Sequence, residues 1–590
     1  MTQAMIAIPG SRRLRPSDAQ LVQAADPAEQ IEISIYARRN ARPEDVKRNM
    51  EAENLKLPSQ RHYLTDAEFD RTYGADPRDL DHISAWAKEC GLKVLDVSVA
   101  RRSVRVKGSI SDINKAFGTQ LNEYSHAKTG RYRGREGELH VPDDLVGVID
   151  GVFGLDTRKV GRPRFRRSRF SSVPLPATAQ ARAAKAGPAS PVNPFPGSFF
   201  PTDLAALYDY PPKTDGSGQN IAIFAFNGTD PDPRGGYSLP ALQTYFERLG
   251  GVTPSITDVV VSGPGNNPGP DTKASGDRGD ATGEVMLDMC IVGAAAPGAK
   301  IFMYFTQFTS KGWVDALHQA ITDKNNISVI SISYGNPESD PQSAWTAMGV
   351  RVVNAAMEAA AAKGITILTA SGDDGSSDGV GTQANVDFPA SSPHAMAVGG
   401  TKLVATHGAR PAIASEVVWN EVNLDEGATG GGISALFTKP MWQNGVNVPP
   451  SSNPPHKIGR GLPDVAAVGD PETGVVVMHI NGRKLDMIGG TSASAPLWAA
   501  LVARLNQGLS TRCGDLNPLL YTRFSSGVLR DIVKGNNGAY AAGPGWDACT
   551  GLGTPRGQAL LAALSGNTKK RAGAKRPAPR RPAAKPRVRK

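Results

Sequence analysis

GITILTASGDDG, Gly364 to Gly375, runs from an uninterrupted apolar and β-branched stretch straight into a polar, glycine-rich loop. A strand with one wet face alternates; an unbroken run of this kind belongs to a strand buried on both faces. NIAIFAF (Asn220–Phe226), AKIFMYF (Ala299–Phe305) and ISVISISYG (Ile327–Gly335) share the pattern, and helical segments such as VVNAAMEAAAAKG (Val352–Gly364) separate them. The expected class is therefore α/β, with a mostly parallel central sheet covered by helices on both faces. In such sheets, sites form outside the carboxyl ends of the strands, where the loop after ILTA sits.

Working outward, the chain divides by composition. Upstream, IEISIYA, PEDVKRNMEAENL, PRDLDHISAWAKECG, KVLDVSVA, SVRVKGS and SDINKAFG read as strand, helix, helix, strand, strand and helix. That order fits a small ferredoxin-like α+β domain over residues 28–157, without a catalytic cluster. Residues 1–27 read as a disordered extension. RKVGRPRFRRSR, Arg158 to Arg169, carries seven basic residues in twelve and precedes a Pro/Ala/Ser-rich run. It reads as an exposed, cleavable linker over 158–200. The α/β pattern occupies 201–566. Residues 567–590 form a tail that is disordered by composition: from Lys569 on it has eleven Lys or Arg and no acid.

The net charge of +10 is therefore that of the tail, and the rest of the chain is close to neutral. Contact of the tail with nucleic acid or another polyanion and a purely solubilising role stand equally open. No run reaches the ~18 apolar residues of a membrane span, so no membrane partner is expected. Four cysteines without CxxC spacing argue against a disulfide framework and against zinc, with Cys513 and Cys549 open to pairing. The first residues lack a charged region followed by an apolar core, so no standard secretory signal is expected.

GGTSASAP (Gly489–Pro496) sets Ser492 in a tight turn opening a helix. A serine nucleophile needs a base, and none of the nine histidines opens an apolar helix after a glycine turn. GDATGEVMLDMCIVGAAAPGAKI (Gly279–Ile301) does, and it offers Glu284 and Asp288, four residues apart on one helical face. Two close carboxylates share a proton, so Glu284 is the candidate base and Asp288 its partner. The Ser492 N–H at the helix N-terminus is one oxyanion donor, and Asp373 is a second if it keeps its proton. Such a site works in acid, around pH 3–5. Standing alone, the acidic turn also reads as a solvated surface and Asp373 as a turn cap.

These motifs resemble the sedolisin, or serine-carboxyl, peptidases, and the kumamolisin type with an N-terminal propeptide in particular. GTSAS matches the nucleophile motif at Ser492, GEVMLD the Glu284 and Asp288 pair, and SGDDG the oxyanion Asp373. The resemblance implies a subtilisin-like catalytic domain, an inhibitory and chaperone propeptide acting within the molecule, and protein or peptide substrates. It also implies a structural Ca²⁺ site in RDIVKGNNGAYAAGPGWDACTGLGTP, with Asp531 and Asp547 side chains and the carbonyls of Ile532, Gly543 and Gly545. It places Asp387, in NVDFPAS, beside the substrate cleft, where an acid favours a basic substrate side chain. The chain departs from the pattern at Ala225 and Tyr334, where relatives often carry Glu and Trp. This puts the depth of the acid optimum in question.

The resulting expectation is a monomeric, acid-active endopeptidase made as a self-processing zymogen. Extracellular action is expected, with a cytoplasmic place as the alternative. A tripeptidyl-peptidase, a silent binding protein using the basic tail and a structural calcium-binding protein are the competing readings. A histidine-based subtilisin fails for want of the histidine.

Overall fold

The computed structural model describes residues 4–127, 130–175, 193–228, 234–269, 281–339, 345–406, 411–524 and 527–566. In the N-terminal domain, Lys93–Ser98, Ser103–Ser109, Gln30–Ala37 and Ile149–Phe153 lie side by side in that order, all antiparallel. In chain order this is second, third, first, fourth, the ferredoxin-like arrangement. Helices Pro77–Glu89 and Ile110–Ala116 join the strands, and each begins at a side-chain cap: Asp76 accepts from the Arg78 N–H, Ser109 from the Asp112 N–H.

The first residues are not the disordered extension expected. Met5–Ala7 pairs with His140–Pro142, and Gln20–Ala24 pairs with Asn122–His126. Their order comes from strands about a hundred residues away or more, which a local reading does not see. Residues 567–590, the basic tail, lie outside the described residues.

The catalytic domain carries an eight-stranded sheet. Its strands run Ile256–Val260, Lys300–Gln307, Asn220–Asn227, Val329–Ile332, Thr366–Ala370 and Met396–Ala405, all parallel, and Val465–Val468 adds parallel to the last. Ile413–Val418 closes the edge antiparallel. Two helices on one face position the site. Ala281–Ala295 is apolar on all sides and almost wholly buried, as a helix enclosed by protein must be. Thr491–Leu509 packs against it and across the strands.

The small domain docks on the other face. Ile33, Ile35 and Val152 share one apolar core with Val314 and Leu317 of helix Ser310–Thr322, and with Val353 and Met357 of helix Ala347–Ala362. The Tyr36 hydroxyl donates to Asp315 at 2.6 Å, and Arg39 pairs with Glu358 at 2.5 Å.

The linker departs most from expectation. Arg162–Pro163 pairs antiparallel with Tyr334–Pro337, and Arg166–Pro174 pairs antiparallel with Lys484–Gly489. Arg164 and Arg167 are 1% and 3% exposed, so this half of the linker is buried. A run of arginines reads as solvated because nothing near it in sequence offsets the charge; the neutralising acids come from the catalytic domain. All four cysteines are free thiols, so Cys513 and Cys549 are not joined. Among the described residues no helix is long and apolar enough to cross a membrane.

Candidate active site

Ser492 is the second residue of its helix, just after Gly490, whose φ of +98° favours glycine. Its hydroxyl donates to Glu284 Oε2 at 3.0 Å and lies 3.1 Å from the Ser333 carbonyl oxygen. Glu284 and Asp288 project from the buried helix, and both are fully enclosed. The Ser333 hydroxyl donates to Asp288 Oδ1 at 2.7 Å. Sequence reasoning missed Ser333, although it stands inside the quoted ISISYG run. One residue after the strand Val329–Ile332, it ties together the nucleophile and the second carboxylate.

Burial drives the Glu284 carboxyl well above its ordinary range, with the charge of Asp288 adding to the effect. Burial likewise raises Asp288, opposed by the Ser333 hydrogen bond. Among the described residues, Glu284 Oε1 and Asp288 Oδ2 have no hydrogen-bond partner. A buried carboxylate pair in this state shares one proton rather than carrying two charges, and the Ser492 hydroxyl has an acceptor at Glu284 Oε2.

Asp373 follows the strand Thr366–Ala370. Its Oδ1 accepts from the Thr491 N–H and the Thr491 hydroxyl, both at 2.8 Å, while Oδ2 has no partner among the described residues. Burial pushes this carboxyl up to about 6, against the opposing pull of Arg166 and Thr491. In acid, then, it is a neutral group with its proton on the unbonded oxygen, able to donate.

The acceptor is already in place. Arg164 O receives the Ser492 N–H at 2.7 Å. A Cβ at Gly490 would stand 2.5 Å from Arg164 O and 2.7 Å from Asp373 Oδ2, so glycine leaves the room in which those two oxygens meet. The Arg164 N–H donates to the Ser333 carbonyl at 3.1 Å, which fixes the strand on its N-terminal side. The linker thus lies across the site as a bound peptide, with the Arg164–Phe165 bond at the nucleophile.

The pockets around that peptide are acidic. Arg164 reaches Asp378 at 2.9 Å and also pairs with Asp387, and both acids are buried. Burial lowers the Arg164 affinity for its proton, but Asp378, Asp387 and Asp374 outweigh it, and the guanidinium is held more firmly than usual. Arg162 and Arg166 meet Asp374 at 2.9 Å and 2.5 Å, and Arg167 meets Asp486 at 3.2 Å. Arg169 lies 3.6 Å from Glu472, and burial together with Glu472 pushes neighbouring Glu426 up to about 7. Asp387 thus lies against Arg164 of the linker; Asp374, Asp378 and Asp486 went unread.

Asp531, Ile532, Gly543, Gly545 and Asp547 come together in the last loop. Asp531 Oδ2 accepts from the Gly545 N–H at 2.8 Å, and Asp547 Oδ2 from the Gly543 N–H at 3.2 Å. Both carboxylates thus close on one three-residue stretch, and the donors are all oxygen, a set that fits a hard cation such as Ca²⁺. Among the described residues no group of three or more His, Cys, Asp or Glu side chains forms a metal cluster, so any such site depends on the carbonyls.

A parallel sheet, a serine at a helix N-terminus over the strand ends and an acidic cleft holding a peptide define a serine-type peptidase of the subtilisin class. Comparison with known proteins gives the family. Residues 17–158 match the Pro-kumamolisin activation domain and residues 270–519 the Subtilase family. Kumamolisin of Bacillus sp. (strain MN-32) is 40% identical over 544 residues, covering 91% of this chain and 92% of that one. Sedolisin of Pseudomonas sp. (strain 101) is 29% identical over 83% of this chain and 80% of its own. The solved structure of Pseudomonas sedolisin, a serine-carboxyl proteinase complexed with pseudo-iodotyrostatin, superposes with a TM-score of 0.52 at 28% identity, covering 63% of this chain and 98% of that chain. The chain belongs to the kumamolisin–sedolisin family of serine-carboxyl peptidases. It is a peptide-bond hydrolase with an N-terminal activation domain.

Proposed function

We propose that the protein is an acid-active endopeptidase made as a zymogen that cuts itself first at Arg164–Phe165. The contact that carries this reading is the 2.7 Å hydrogen bond from the Ser492 N–H to the Arg164 carbonyl. Ser492 Oγ attacks that carbonyl as its proton passes to Glu284, with Asp288 sharing the charge through the helix face. The oxyanion that forms is met by the Ser492 N–H and by the proton of Asp373. Glu284 then returns the proton to the departing Phe165 nitrogen, and water releases the acyl group. Ser333 positions: its hydroxyl holds Asp288 and its carbonyl holds the substrate strand.

Endopeptidase rather than tripeptidyl-peptidase action is supported by the cleft itself. Peptide is strand-paired on both sides of the Arg164–Phe165 bond, so no free amino terminus is needed three residues before it. The acids around Arg164 favour arginine at the residue contributing the attacked carbonyl. Residues Asp531, Ile532, Gly543, Gly545 and Asp547 would hold a Ca²⁺ that braces the loop following the Ser492 helix. Extracellular action suits an enzyme of this chemistry. The test is hydrolysis of blocked peptides at pH 4 by the acid-treated chain. Internal cleavage after arginine supports the reading; release of N-terminal tripeptides alone, or no cleavage, overturns it.

A further inference from the structure

The linker in the cleft is a record of what each pocket accepts. Position by position it is basic, proline, arginine, apolar, basic, basic: Arg162, Pro163, Arg164, Phe165, Arg166, Arg167. Each of the four arginines has its acid, namely Asp374 and Asp378 for Arg162, Asp378 and Asp387 for Arg164, Asp374 for Arg166 and Asp486 for Arg167. Pro163 and Phe165 are buried. In the whole sequence this pattern occurs at one other place, Lys585-Pro586-Arg587-Val588-Arg589-Lys590. Every charge, the proline and the arginine before the bond keep their positions, and valine replaces phenylalanine at the apolar one.

We propose that Lys585–Lys590 is a second substrate of the same cleft, cut between Arg587 and Val588 once the linker has left. The inference rests on the reading that Arg164–Phe165 is the first bond cut. The chemical argument is charge matching in a closed place. Asp378 and Asp387 lose their cation when the linker departs, and a peptide that returns a guanidinium there regains the charge-assisted contacts that Arg164 makes, so it is favoured over a neutral one. Pro586 takes the place of Pro163, which as proline donates no N–H to the strand pairing. Valine is smaller than phenylalanine, so it needs less room than Phe165 occupies. Among the described residues, the ion pair of Asp387 is with Arg164.

The step is ordinary hydrolysis. Ser492 Oγ bonds to the Arg587 carbonyl carbon, the Arg587–Val588 C–N bond breaks, and the serine proton leaves on the Val588 amine by way of Glu284. Water then gives its hydroxyl to the Arg587 acyl carbon and its proton back to Ser492. The consequence is a mature enzyme trimmed at the tail as well as at the linker, and a groove selective for polybasic protein segments on both sides of the cut.

The experiment uses the full chain at pH 4, followed by intact mass. Alongside it, the acid-treated enzyme is given two synthetic peptides, residues 158–170 and residues 580–590. The expected result is loss of Val588–Lys590 from the wild-type chain, retention of it in Arg587→Ala, and cleavage of the second peptide at Arg587–Val588 at a rate within about tenfold of the first. If the linker peptide is cut at Arg164–Phe165 while the tail peptide is left whole or is cut elsewhere, this proposal falls and the first reading stands. If neither peptide is cut by an enzyme that digests protein, both fall.

Discussion

The Ser492 N–H donates to the Arg164 carbonyl oxygen at 2.7 Å, across 328 residues of chain. The bond sets a peptide carbonyl of the molecule's own linker against the helix N-terminus, while Ser492 Oγ donates to Glu284 at 3.0 Å. On the proposed mechanism, nucleophile, base and substrate are thus assembled before any outside peptide arrives, and the protonation of buried carboxyls decides when the bond breaks.

Ser492→Ala should leave the full chain uncut in acid and lower peptide turnover on the order of 10⁶-fold, by analogy with other serine nucleophiles. Glu284→Gln should cost nearly as much, because an amide cannot take the proton. The double variant should be little worse than either single one, since the residues act as a unit. Rates at pH 4 on a blocked arginine peptide check this, and additive losses would contradict it.

Asp373 is expected to set the alkaline limit. Its carboxyl is raised to about 6, so it keeps its proton below that pH and donates; as pH rises through about 6 the proton leaves and the oxygen only accepts. Activity should therefore fall with a midpoint near pH 6. Asp373→Asn, an amide that donates at any pH, should move that limb upward even where the peak rate falls. A pH–rate profile whose alkaline limb is the same in both proteins would exclude the role.

Asp387→Asn should lower kcat/KM for a peptide with arginine before the cut by about 10- to 100-fold, the range for losing a charge-assisted contact. The matched leucine peptide should change by less than about threefold. Equal losses on both peptides would mean that Asp387 only supports the fold.

Calcium predicts a stability difference. A cation that binds only the folded chain adds RT ln(1 + [L]/Kd), about 2.7 kcal/mol at a hundredfold excess over Kd. Chelator should lower the Tm of the wild-type protein, and Asp547→Ala should abolish the calcium-dependent part of that shift. A wild-type Tm indifferent to chelator would rule out a structural metal in this loop.

Much of the site was legible because its chemistry is written in local patterns. Gly490 before Ser492, Glu284 four residues from Asp288, and Asp373 just past an unbroken apolar strand each follow from a turn, a helical period and a strand end. What escaped reading is non-local. Ser333 gains its role from a helix that lies earlier in the chain. Asp378 adopts φ of +47° in a polar loop and reads as a turn residue, yet it is buried against an arginine 214 positions away. The linker arginines read as solvated for the same reason, and the strand Met5–Ala7 is too short to announce itself without its partner.

The central claim, that the cleft holds its own first substrate, is tested most directly by N-terminal sequencing of the earliest product after acidification of the full chain. The account predicts a fragment beginning at Phe165 in the wild-type protein and none in Ser492→Ala. A first product beginning anywhere else, or the same product from Ser492→Ala, would contradict it.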